Sequence, residues 1–133
     1  MKTLILGLFL VTSTLLLIAG GLYWLLRTPV PSESDVVGLY AGAHGGYRDQ
    51  VEIMPDHRFI QTLKKPNGEM IINNGTWTLK NRGLDVGDYS FFIDTETGKA
   101  LSEPVRYSLF SFTAYPDTLI ADWGSNFYKL TKK

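Results

Sequence analysis

Residues 50–79, QVEIMPDHRFIQTLKKPNGEMIINNGTWTL, decide the fold. Three alternating apolar segments are separated there by Pro55-Asp56-His57 and by Pro66-Asn67-Gly68, residue types that supply the backbone angles of tight reversals. The reading is an antiparallel meander. Val51 and Ile53 share one side of its first strand, and Phe59, Gln61 and Leu63 oppose Ile60 and Thr62 on its second. The third segment, Glu69 to Lys80, is long for one strand, and its interior Gly75 predicts a bulge that bends it. Trp77, two residues on, is the expected core anchor, and His57 is read as a turn residue.

Working outward, Asp35 to Ala43 reads as a strand that places Tyr40 on one face and Leu39 on the other. Gly42-Ala43-His44-Gly45-Gly46 then forms a loop. It lacks the Lys-Ser/Thr pair and the following helix of a phosphate-binding loop, so an ordinary turn is expected. After Asn81-Arg82-Gly83, strands are predicted at Leu84 to Ile93 and at Val105 to Tyr115, where Phe110, Phe112 and Ala114 share a face. A hairpin across Gly124-Ser125-Asn126 closes the chain. About eight short strands, regular turn signals and no amphipathic helix predict an all-β domain, a small antiparallel up-and-down barrel.

Residues 4–26, LILGLFLVTSTLLLIAGGLYWLL, carry no charge. At ~1.5 Å per residue a helix of this length spans the ~30 Å hydrocarbon core. The Tyr23-Trp24 pair before Arg27 suits an interfacial belt. A cleaved signal peptide is the competing reading, but its apolar run is usually shorter, and cleavage after Ile18-Ala19-Gly20 leaves Leu22 to Leu26 as an apolar terminus. The expected organisation is one transmembrane signal-anchor over 1–27, a proline- and serine-containing linker over 28–34 and a β domain over 35–133. Lys2 and the terminal amine favour an inside N-terminus, which places the domain outside the cytoplasm, in the periplasm or at the cell surface.

Composition removes several function classes. The formal net charge is zero, and without Lys2 and Arg27 the part beyond the anchor has a small acidic excess, so nucleic acid is not an expected partner. The absence of cysteine excludes disulfides, thiolate nucleophiles and Cys-ligated metals. His44 and His57 lie in separate loops without zinc-ligand spacing. Ser108, Ser111 and Ser125 lie in no G-x-S-x-G elbow. No catalytic residue, metal or cofactor is predicted.

The order of short motifs resembles the lipocalin-like, or calycin-type, barrels. Gly38-Leu39-Tyr40 lies on the first strand, Asp56-His57-Arg58-Phe59 forms a turn, and Gly75-Thr76-Trp77 closes the meander. Tyr40 stands where calycins usually have Trp, and His57 stands in place of a turn glycine. The resemblance implies a ligand pocket in the barrel mouth. Most aromatic residues are needed for the core of so small a domain. Tyr47 and Arg48, beside the glycine loop, are placed to rim a mouth, with Trp77 as its floor and Tyr40 nearby. These four are the candidate ligand-binding residues.

The resulting expectation is a single-pass membrane protein whose non-catalytic barrel binds a small apolar ligand or a protein partner. The alternatives are an envelope-associated inhibitor or immunity-type protein that covers one partner by its surface, and an enzyme using His44 or His57. An open cavity beside Trp77 separates the ligand carrier from the surface binder.

Overall fold

The computed structural model describes residues 18, 20–23, 29–123 and 126–133, with side chains described except at 122, 123, 126 and 127. A four-residue helix, α1 (Glu33–Val36), precedes eight strands: β1 (Gly38–His44), β2 (Tyr47–Ile53), β3 (Arg58–Lys64), β4 (Met70–Lys80), β5 (Gly83–Ile93), β6 (Ala100–Tyr115), β7 (Thr118–Trp123) and β8 (Asn126–Lys132). Each strand pairs with its neighbour in sequence, and β8 returns to β1, closing an up-and-down antiparallel barrel. Closure runs through Tyr40↔Lys132 and Ala41↔Thr131.

The alternation read from residues 50–79 becomes the inside and outside of the barrel. Tyr47, Asp49, Val51 and Ile53 of β2 are buried, as are Phe59, Gln61 and Leu63 of β3, while the residues between them face outward. Register pairs such as Val51↔Gln61 and Gln61↔Asn73 keep the inward residues of β2, β3 and β4 side by side. Phe110, Phe112 and Ala114 of β6 complete the buried set from the far wall.

Four local expectations change, one being the loop over 42–46, which narrows to a two-residue turn at Gly45-Gly46 because β1 stays paired through His44↔Tyr47. The first strand begins at Gly38, because residues 33–36 form α1. There the Asp35 carboxylate accepts hydrogen bonds from the Ser32 amide at 2.8 Å and the Ser32 hydroxyl at 2.7 Å. That box favours a helical turn over extension and seats Val36 in the core. β6 begins five residues before Val105, with Pro104 inside a register shift between Phe91↔Val105 and Ile93↔Ala100, where a missing amide does no harm.

Gly75 makes no bulge in the β3–β4 ladder, since Phe59↔Gly75 keeps the register. Its role is close approach: a Cβ there would lie 2.5 Å from the Gly87 carbonyl oxygen and 2.8 Å from the Phe59 ring. β4 and β5 pair only from Trp77↔Val86 to Lys80↔Gly83. Asp88 then takes a left-handed φ of 59°, and β5 leaves β4 while remaining paired with β6.

The segment read as a transmembrane anchor, 1–27, lies mostly outside the described residues. Residues 18 and 20–23 within it are helical. Among the described residues no helix is long and apolar enough to cross a membrane.

Candidate functional site

The departure of β5 from β4 creates the chemistry of the barrel interior. Ser90 loses its ladder partners on that side, and a buried peptide unit must find others. Gln61 supplies them. Its Oε1 accepts from the Ser90 amide at 2.9 Å and its Nε2 donates to the Ser90 carbonyl at 2.9 Å. Asn73 Nδ2 donates to Gln61 Oε1 at 2.9 Å and to Ser90 Oγ at 2.7 Å.

Gln61 Nε2 also donates to Asp49 Oδ1 at 3.1 Å, and the Tyr89 hydroxyl donates a short hydrogen bond to Asp49 Oδ2. Asp49 is 0% exposed. Burial pushes its carboxyl up to about 6, against the pull of the Tyr89 and Gln61 hydrogen bonds toward ionisation. Burial, followed by the Asp49 charge, raises the Tyr89 and Tyr128 hydroxyls, so both keep their protons. A carboxyl near neutrality can exchange protons, but Asp49 is sealed from solutes in this conformation. Its partners are the protein's own groups.

Around this cluster the interior is filled with rings. Tyr47 stacks on Phe92 at 4.6 Å between centroids, Tyr89 on Phe110 at 4.8 Å, and Phe92 meets Tyr128 edge-on at 5.0 Å. The candidate ligand residues divide among three places. Tyr40 and Trp77 are buried toward the end that carries α1 and the β2–β3 turn. The Tyr40 hydroxyl donates to the Val36 carbonyl at 2.9 Å, and Trp77 Nε1 donates to the Met54 carbonyl at 2.8 Å. Tyr47 is buried toward the opposite end, where its hydroxyl donates to the Leu101 carbonyl at 2.9 Å. Arg48 lies outside the barrel and exposed. The four do not converge on one space.

His57 is the turn residue expected, with a left-handed φ of 63° in place of glycine. Its ring stacks on Trp77 at 4.7 Å, and its Nε2 lies 3.4 Å from Glu33. His44 is at the other end, its Nε2 2.7 Å from the Gly98 carbonyl. Among the described residues no group of three or more His, Cys, Asp or Glu is placed to hold a metal.

The outer wall carries exposed apolar side chains on neighbouring strands. Ile60, Met70 and Ile72 are 37%, 58% and 62% exposed on β3 and β4. Beside them runs a groove of about 490 Å³ bordered by Met54, Arg58, Ile60, Asn74 and Thr76, with Gly75 contributing no side chain to fill it. The outward row of β3 carries Arg58 and Lys64, while that of β4 between Met70 and Thr76 carries no charge. At the end that carries the β3–β4 turn, the Lys65 ammonium is held 2.7 Å from Glu103 and 3.0 Å from Glu69, contacts that raise its pKa and tie that turn to β6.

Sequence reasoning missed the interior cluster. Its signal was present: Asp49, Gln61 and Asn73 fall in phase with the apolar residues of three successive strands, a place where a polar side chain needs a built partner. The chain matches no family model, no curated protein and no solved structure.

Proposed function

We propose that this chain is a non-catalytic binding module, a lipocalin-like barrel anchored in the membrane by its N-terminal apolar segment and standing outside the cytoplasm. It holds a protein partner on its outer surface, in the manner of an envelope-associated inhibitor or immunity-type protein. The observation that carries this reading is the contrast between the two faces. The barrel interior is occupied by its own stacked rings and a hydrogen-bonded polar cluster, whereas Ile60, Met70 and Ile72 lie uncovered outside. A lipocalin-type carrier needs the reverse, an apolar space within. Tyr40, Tyr47 and Trp77, whose polar atoms are already bonded to backbone carbonyls, serve as core residues here. The uncharged stretch 4–26 supports the anchor.

The test uses the full chain in membranes of cells that express it natively, with a photo-crosslinking residue at position 60 and, separately, at position 52 on the neighbouring polar strand. A discrete protein adduct is expected from position 60, absent from position 52 and abolished by Ile72→Lys. No adduct, together with stoichiometric uptake of a fluorescent fatty acid by the purified chain, overturns the surface reading in favour of an interior carrier.

A further inference from the structure

The free side of β4 has a second property besides its apolar side chains. In an antiparallel ladder, alternate residues direct both backbone groups to the same neighbour. The Trp77 amide donates to the His57 carbonyl at 2.8 Å and the Lys65 amide to the Glu69 carbonyl at 2.8 Å. With the register Ile71↔Leu63, Asn73↔Gln61 and Gly75↔Phe59, the odd-numbered residues of β4 therefore turn their backbone toward β3. Met70, Ile72 and Asn74 turn theirs the other way. On that side the β4–β5 ladder covers only residues 77–80, and the Ser90 peptide of β5 is bonded to the Gln61 side chain instead. Met70, Ile72 and Asn74 thus combine exposed side chains with backbone donors and acceptors that have no ladder partner on that side.

We infer that β4 between Met70 and Asn74 receives an extended strand of the partner protein, which adds to the sheet beside β4 where β5 has departed. The inference rests on the surface reading above and names the kind of partner. A row of alternating amides and carbonyls is matched only by another extended backbone. Apolar residues on the partner strand would extend the face formed by Ile60, Met70 and Ile72. Lys64, exposed opposite Met70, places a cation one strand away at that end, whereas Arg58 opposite Thr76 is already paired with Asp56 at 2.6 Å, so a strand with an acidic residue at the Lys64 end fits. The occupant is an alternating segment of another protein with an acidic residue at one end.

Ile72→Pro tests the main-chain part, because it keeps an apolar side chain and removes an amide that β3 does not use. The variant is expected to fold, to lose the adduct formed from position 60, and so to separate backbone pairing from apolar adhesion. An adduct that survives Ile72→Pro overturns strand addition while leaving the surface reading intact. Should Ile72→Pro not fold, because the ring also fixes φ at 72 and restricts the backbone at Ile71, the peptide measurement below decides.

A second measurement needs no partner. A short acetylated peptide of alternating valine and threonine with aspartate at one end is added to the full chain in lipid nanodiscs. It is expected to slow amide exchange at Met70, Ile72 and Asn74 by roughly tenfold or more, and its N-methylated counterpart is expected not to. Equal protection by both peptides, or protection by neither, overturns the inference. So does protection that rises with protein concentration alone, which identifies a second copy as the occupant.

Discussion

The carboxamide of Gln61 binds Ser90 as a neighbouring strand would, accepting from its amide at 2.9 Å and donating to its carbonyl at 2.9 Å. One side chain thereby replaces the ladder that β5 forfeits when it turns away from β4 at Asp88. On the β5 side of this break the Ser90 peptide is satisfied from inside rather than by water.

Gln61→Leu keeps the volume and removes all of these bonds. The Ser90 amide and carbonyl, the Asn73 amide and one Asp49 oxygen lose a partner together. Each buried group left unsatisfied costs about 1–3 kcal/mol, so a loss of at least about 3 kcal/mol is expected in urea unfolding. Gln61→Glu makes the contrast, since its carboxylate can still accept from the Ser90 amide but places a second acid beside Asp49. It should be least destabilising in acid and grow worse as pH rises. Equal stability of Gln61→Leu and wild type would show that the cluster is not what holds β5 in place.

Asp49 makes stability depend on pH in the opposite direction to an ordinary surface acid. Its folded pKa of about 6 lies above the usual 3.8, so the folded state holds the proton more tightly than the unfolded chain. Its contribution is full below 3.8, falls as pH rises to about 6 and is flat above; the span corresponds to about 3 kcal/mol. The exposed acids Asp35, Asp56, Glu69 and Asp94 have lowered pKa values and work the other way, losing stability as pH falls. Subtracting the Asp49→Asn curve from wild type isolates the buried group. The variant should gain on wild type between about pH 4 and pH 6 in urea midpoints, whereas parallel curves would place the charge elsewhere.

Much of the barrel was legible because its strands alternate with period two around unmistakable turns. Val51, Ile53, Phe59 and Leu63 declared their face, and Pro66-Asn67-Gly68 declared the reversal between β3 and β4. α1 was hidden because Val36 and Val37 favour extension, and only the pairing of Ser32 with Asp35 reverses that preference. The purpose of Gly75 depends on Gly87, which belongs to a different strand and approaches only in three dimensions. The candidate site was less legible still. Tyr40, Tyr47 and Trp77 announce bulk but not whether a cavity is left beside them, and β5 leaves β4 at a left-handed Asp88 that no residue-type preference signals strongly.

Tyr40→Phe tests how α1 is held to the barrel. The buried hydroxyl, its pKa raised to about 12 by burial and by nearby Asp117 and Asp35, is protonated and donates to the Val36 carbonyl. Losing that bond should cost about 1 kcal/mol. The local sign is faster exchange of the Val37 amide, which is bonded to the Glu33 carbonyl at 3.2 Å within α1, with little change at Val51 across the ladder. Uniform acceleration of exchange at both would mean that α1 melts only with the whole barrel.

Gly75→Ala probes the crossing of β4 and β5. The added methyl would sit 2.5 Å from the Gly87 carbonyl oxygen and 2.8 Å from the Phe59 ring. The ring can rotate away, but the carbonyl belongs to a strand paired with β6 at Gly87↔Leu109 and has little freedom to retreat. Overpacking of this kind costs about 1–3 kcal/mol. Gly87→Ala is the matched control, because its Cβ would come no closer than 3.5 Å to any neighbour. Gly75→Ala should therefore lower the urea midpoint well below that of Gly87→Ala. If the two variants lose the same stability, the contact between the strands is not what requires glycine at 75.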